Sequence, residues 1–140
     1  MYVHGKLKLS PYQCVNILLA VFILLIFIYS AVFSAERSNH PVPSSYKIIT
    51  GQESSSTGLS RSFSSIVRFQ FKKANEYNPW GIRIFLFFLI QLFLRIFFTI
   101  SYSSLLVKVG IRISVMLDCI ISGVMLMVFF EPFWREFLRF

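Results

Sequence analysis

Three polar side chains, Gln91, Arg95 and Asp118, lie inside otherwise apolar runs of this chain. Placing an arginine near the centre of a bilayer costs about 2.5–3.5 kcal/mol on insertion scales, so such a residue has either a partner or a duty. Asp118 is the expected partner. Counting from a turn at Lys108-Val109-Gly110, Arg95 lies about 12–13 residues deep and Asp118 about 8–10, so at 1.5 Å per residue their levels differ by about 4–6 Å. A guanidinium on its flexible stem spans that gap. Gln91 lies one turn from Arg95 on the same face. Two chemistries fit this trio. One is a polar clamp that fixes the register of two membrane helices. The other is the lining of a water-filled path or a subunit contact. Arginine keeps its proton at ordinary pH, which argues against a proton relay.

Ser114, Asp118 and Ser122 recur at four-residue spacing, with Cys119 and Gly123 adjoining. Small residues let helix backbones approach closely, so Ser114, Ser122 and Gly123 form an expected packing stripe toward a neighbouring helix or a second copy.

The elements that must position these residues follow from the apolar runs Cys14–Ala35, Ile84–Ile100 and Ile111–Phe130. A bilayer crossing needs about 20 mostly apolar residues, and each run meets or approaches that length. Hydrophobic residues make up 56% of the 140, 17 of them phenylalanines, which exceeds the ordinary globular range. The expected fold is an all-α membrane protein, with three transmembrane helices and an interfacial amphipathic helix between the first and second. The net charge of +8 sits on the polar segments. Beside membrane helices, anionic lipid headgroups account for it without nucleic acid.

Along the chain, residues 1–13 form a polar, basic segment and 14–35 the first transmembrane helix. Lys6, Lys8 and Val32-Phe33-Ser34 resemble parts of a signal peptide, but the apolar stretch exceeds the usual 7–15 or so residues, so a retained anchor is expected. Residues 36–60 are a Ser/Pro-rich loop. Over 61–77, Phe63, Ile66, Val67, Phe71, Ala74 and Tyr77 share one helical face, with Arg61, Arg68 and Lys72 opposite. That pattern describes a helix lying in the interface with its bases on lipid headgroups or loop groups, or one capping the bundle. Asn78-Pro79-Trp80-Gly81 breaks it and turns the chain into the second transmembrane helix, 82–107. The third spans 111–130, joined by a short turn as an antiparallel hairpin, and 131–140 is an aromatic interfacial tail.

Catalytic signatures are missing. No CxxC, HExxH, P-loop or GxSxG pattern occurs, His4 and His40 stand isolated in polar flanks, and Cys14 and Cys119 sit in apolar stretches as small hydrophobes. An intramembrane hydrolase would need a nucleophile and a base on facing helices, and no histidine lies in a span. A non-enzyme without metal or cofactor is expected.

The stretch Ser44–Pro79 reads SSYKIITGQESSSTGLSR, then SFSSIVRFQFKKANEY, then NP. It resembles a family of small bacterial multi-pass membrane proteins of unknown function, whose loop runs CPFxxxTGxxCPxCGxxR, then a short amphipathic helix, then NP before a transmembrane segment. Thr50, Gly51, Gly58, Arg61, Asn78 and Pro79 fall on the recurring positions, over about a quarter of the chain. Where the family has cysteines this chain has Ser44, Ser54 and Thr57, so thiol and zinc chemistry do not carry over. The resemblance implies a three-helix architecture, a bacterial cytoplasmic membrane, and architectural roles for Gly51, Gly58, Asn78 and Pro79. It implies no activity.

Together these readings lead to a small subunit or scaffold of a membrane complex, partnered by other membrane subunits or by itself. The alternative is a homo-oligomeric pore or channel, a membrane-permeabilising effector being one form of it. Lys6 and Lys8 before the first helix, with Lys108 and Arg112 flanking the second turn, favour a cytoplasmic N-terminus and an outward serine loop. The seven bases between Arg37 and Arg83 pull the other way. With Cys14 and Cys119 replaced by serine, Ser55→Cys should react with an impermeant thiol reagent in intact cells. Reaction only after lysis would reverse the topology.

Overall fold

The computed structural model describes residues 9–33, 57–104 and 108–138. Among these residues every element is a helix: α1 (Pro11–Val32), α2 (Leu59–Val67), α3 (Phe71–Tyr77), α4 (Gly81–Ser104), α5 (Lys108–Phe129) and α6 (Glu131–Phe137). Three of them, α1, α4 and α5, are long and apolar enough to cross a membrane. The chain is thus a multi-pass integral membrane protein, as composition requires.

Helix α1 starts at Pro11, three residues before the expected Cys14, because its first turn is capped. The Ser10 hydroxyl accepts from the Gln13 amide at 3.2 Å, and the Gln13 side chain accepts from the Ser10 amide at 3.1 Å. This reciprocal box occupies amides that a helix start leaves open, and Pro11 has none to satisfy. The helix ends at Val32, short of the expected Ala35.

The expected single helix over 61–77 is two helices. At the end of α2, the Gln70 amide bonds to the Ser65 carbonyl at 2.9 Å and the Phe69 amide to that of Ile66 at 2.9 Å. These paired bonds make a Schellman stop, with Phe69 in the left-handed region at φ 60. The break resets the helical phase. Phe63, Ile66 and Ala74 are buried as the periodicity predicts, but Phe71, beyond the break, is exposed. Buried Ser62, Ser64 and Ser65 are small enough to let α2 lie against both α1 and α4. The core here is Phe63, Ile66, Ala74 and Ile84, with Phe85, Phe88, Phe130 and Phe133 around it.

The turn into α4 is held by Asn78, which is buried. Its side-chain oxygen accepts from the Trp80 amide at 2.8 Å, and its amide nitrogen donates to the Thr57 carbonyl at 2.9 Å. Gly58 takes φ 77, and a Cβ there would run into the Tyr77 carbonyl. Gly81 faces Ser62, whose Cβ would lie 2.6 Å from an added methyl.

Helix α4 is the central strut, with α1 and α5 packed antiparallel on its flanks. Among the described residues the backbones of α1 and α5 do not approach each other, and side chains bridge the gap. The outer face of α5 is bare: Met116, Ile120, Val124 and Met127 are exposed. Lys108–Gly110 belong to α5 and do not form the expected turn. Residues 105–107, 1–8, 139–140 and most of the serine loop (34–56, with Gly51, Ser44 and Ser54) lie outside the described residues. The expected tail contains α6, tied by an Arg135–Glu131 pair at 2.6 Å and an Arg83–Glu131 pair at 3.4 Å.

Alanine at Gly58 or Gly81 should destabilise the protein by about 1–3 kcal/mol, because a methyl has no room. Gly123 has nothing within 4 Å, and alanine there should be neutral or slightly stabilising. Thermal unfolding of the three variants in one mild detergent checks this ranking.

Candidate functional site

Each of the three long helices contributes polar groups to one buried cluster. Arg95 Nη1 donates to Asn16 Oδ1 at 2.6 Å and to Asp118 Oδ2 at 2.9 Å. Arg95 Nη2 donates to Gln91 Oε1 at 3.3 Å, to Asp118 Oδ1 and to Ser122 Oγ. The Arg95–Asp118 pair is thus bidentate, the geometry a planar guanidinium favours with a carboxylate. Tyr12 Oη donates to Asp118 Oδ2 at 2.6 Å, and Ser122 Oγ lies 3.2 Å from Asp118 Oδ1. Arg95, Asp118 and Asn16 are 7%, 2% and 1% exposed, so the pair is shielded on every side.

Depth follows from helix geometry. Arg95 is nine residues before the end of α4 at Ser104, about 13–14 Å along the axis at 1.5 Å per residue. Asp118 is ten residues into α5, about 15 Å by the same rise. Both lie near the middle of a hydrocarbon layer about 30 Å thick. The pairings Arg95–Asp118 and Gln91–Ser122 step one turn down α4 against one turn up α5. On the other flank, Gln13 Nε2 donates to the Thr99 carbonyl at 3.3 Å, while the Thr99 hydroxyl bonds the Arg95 carbonyl at 2.7 Å. The Tyr12 ring meets Tyr102 with centroids 5.3 Å apart, below the cluster.

The chemistry open to this arrangement is narrow. Asp118 has about four lone-pair sites; Arg95 (twice) and Tyr12 take three, and the Ser122 hydroxyl, whose one proton also reaches Gln91 Oε1, shares the fourth. A carboxylate so engaged offers a substrate little acceptor capacity. No imidazole among the described residues lies beside the Ser122 hydroxyl, which rests against that carboxylate. Among the described residues no three His, Cys, Asp or Glu side chains gather as metal ligands. Tying three helices is what the geometry does.

Gln91, Arg95 and Asp118 come together as the helical register predicts. The packing stripe divides: Ser122 joins the cluster, Ser114 is half-buried, and Gly123 is exposed. Arg61 and Lys72 are exposed. Arg68 turns inward instead, donating to the carbonyls of Ser30 at 3.3 Å, Ala31 at 2.8 Å and Phe33 at 3.4 Å. Ser64 Oγ, itself bonded to the Phe33 carbonyl, is a further partner. The last carbonyls of a helix lack intrahelical partners, and a cation over them also complements the helix dipole. Gly58 and Asn78 hold the turn beneath α3, whereas Pro79 is exposed.

Asn16 and Tyr12 escaped the sequence reading. The first helix carries no charge and reads as a plain anchor, but Tyr12 and Asn16 lie one turn apart on a single face. An amide in an apolar run, with a phenol four residues before it, was the available signal.

Removing one charge of a buried pair strands the other, so Arg95→Leu should cost about 3–5 kcal/mol. The double change Arg95→Leu, Asp118→Leu should cost less than Arg95→Leu alone. Tyr12→Phe and Asn16→Leu each remove one bond and should cost about 0.5–1.5 kcal/mol. Unfolding in bicelles measures all four; equal, small losses would indicate that water solvates the pair. No family model, curated protein or solved structure matches the chain, and the reading of this cluster rests on its own geometry.

Proposed function

We propose that the protein is a non-enzymatic small subunit or scaffold of a membrane complex. The observation that supports this reading is the polar cluster, where the Asp118 carboxylate is engaged by Arg95, Tyr12 and Ser122 of the same chain. A site spent on internal bonds has little to offer a substrate. The groups left over are surfaces, above all the bare apolar face of α5. The likeness of Ser44–Pro79 to a small bacterial membrane-protein loop supports a bacterial cytoplasmic membrane as its place, with Gly58 and Asn78 as loop architecture.

A second reading, a homo-oligomeric pore, draws on one detail. Arg95 Nε is buried without a hydrogen-bond partner, a donor that a water file would satisfy. Rings of basic side chains bias a pore toward anions.

Native mass spectrometry after gentle extraction from the host membrane separates the two. A hetero-complex is the expected result, and a solitary species in every mild detergent overturns the subunit reading. A discrete homo-oligomer that conducts anions in liposomes, with flux altered by Arg95→Gln, establishes the pore.

A further inference from the structure

Phe69 occupies a position where glycine is favoured. It is the left-handed residue of the Schellman stop, at φ 60, and a side chain there crowds the backbone. The ring is not held there by the protein core. It is 82% exposed and meets the Phe71 ring edge-on, centroids 6.4 Å apart, while Phe71 is itself 51% exposed. The α2–α3 corner therefore holds two aromatic rings clear of the fold. In water this is unfavourable on both counts, backbone and hydration.

The height of the corner identifies its surroundings. Arg68, the preceding residue, binds the carbonyls that end α1, so the corner sits where the apolar run of α1 stops. Trp80, just before α4, and Trp134, in α6, are exposed at the same end of the bundle. Tryptophans at that level mark the headgroup zone of a bilayer. Exposed Lys72 directly follows Phe71.

We propose that Phe69 and Phe71 form a wedge inserted into lipid at the boundary of headgroups and acyl chains, with Lys72 on the phosphates of anionic lipids. The strained corner is then a device that aims two rings into the bilayer beside α1. The inference rests on the bundle crossing a membrane, and does not depend on the subunit reading.

The test uses the full chain with Trp80→Phe, Trp134→Phe and Phe69→Trp, reconstituted in vesicles of phosphatidylcholine and phosphatidylglycerol. A tryptophan is bound to the same backbone strain as the phenylalanine, so the corner keeps its form. Lipids brominated near the carbonyl end of the acyl chain should quench its fluorescence about twofold more than lipids brominated near the methyl end, as insertion to 5–10 Å requires. Aqueous iodide should quench it little. Adding Lys72→Glu should weaken the bromolipid quenching in anionic vesicles and leave it unchanged in pure phosphatidylcholine. Iodide quenching without bromolipid quenching would put the corner in water, free for a protein partner, and overturn the wedge. Insensitivity to Lys72→Glu in anionic vesicles would overturn the phosphate contact.

Discussion

A guanidinium in hydrocarbon has to find acceptors within reach of its own side chain, because lipid tails supply none. Arg95 finds them on each of the three long helices, and much of the bundle is arranged by that need. The register of α4 against α5 is the one that brings Asp118 level with it. The placement of α1 is the one that delivers Asn16 to Nη1 and Tyr12 to the far carboxylate oxygen. Since the backbones of α1 and α5 do not approach each other among the described residues, side chains that meet over α4 are what joins the two flanks.

Arg68 solves a related problem at the end of the bundle. There the groups needing partners are the last carbonyls of α1, and the arginine is brought to them from α2. Three buried serines and two glycines allow that approach, since a larger side chain at Ser62 or Gly81 would hold the short helices away. The two arginines thus act in opposite senses: at the centre a charge gathers acceptors, and at the rim acceptors gather a charge.

The fold was legible where hydrophobicity carries it. Three spans, a polar excursion between the first two, and the meeting of Arg95 with Asp118 all follow from apolar run lengths and the rise of a helix. The break at Phe69 was not legible, because a phenylalanine gives no hint of a left-handed backbone and the periodicity of Phe63, Ile66 and Ala74 runs on as though uninterrupted. The inward turn of Arg68 was hidden for a related reason: its partners are backbone carbonyls, which leave no mark in side-chain patterning. Asn16 carries no charge, and a lone amide in an apolar run is a weaker mark than Arg95 or Asp118. The early start of α1 was written in Ser10 and Gln13, whose spacing is that of a capping box.

The span of 23 residues between Arg95 and Asp118 also bears on how the protein enters a membrane. Synthesis proceeds from the N-terminus, so α4 emerges before the carboxylate that neutralises it. At that moment Asn16 and Tyr12 are already in place on α1, but an amide and a phenol do not cancel a charge. The leucines, isoleucines and phenylalanines of the second span outweigh the cost of one arginine, about 2.5–3.5 kcal/mol, so that span is apolar enough to enter by itself. The carboxylate follows with the third span, and the charge is neutralised only when the two helices meet.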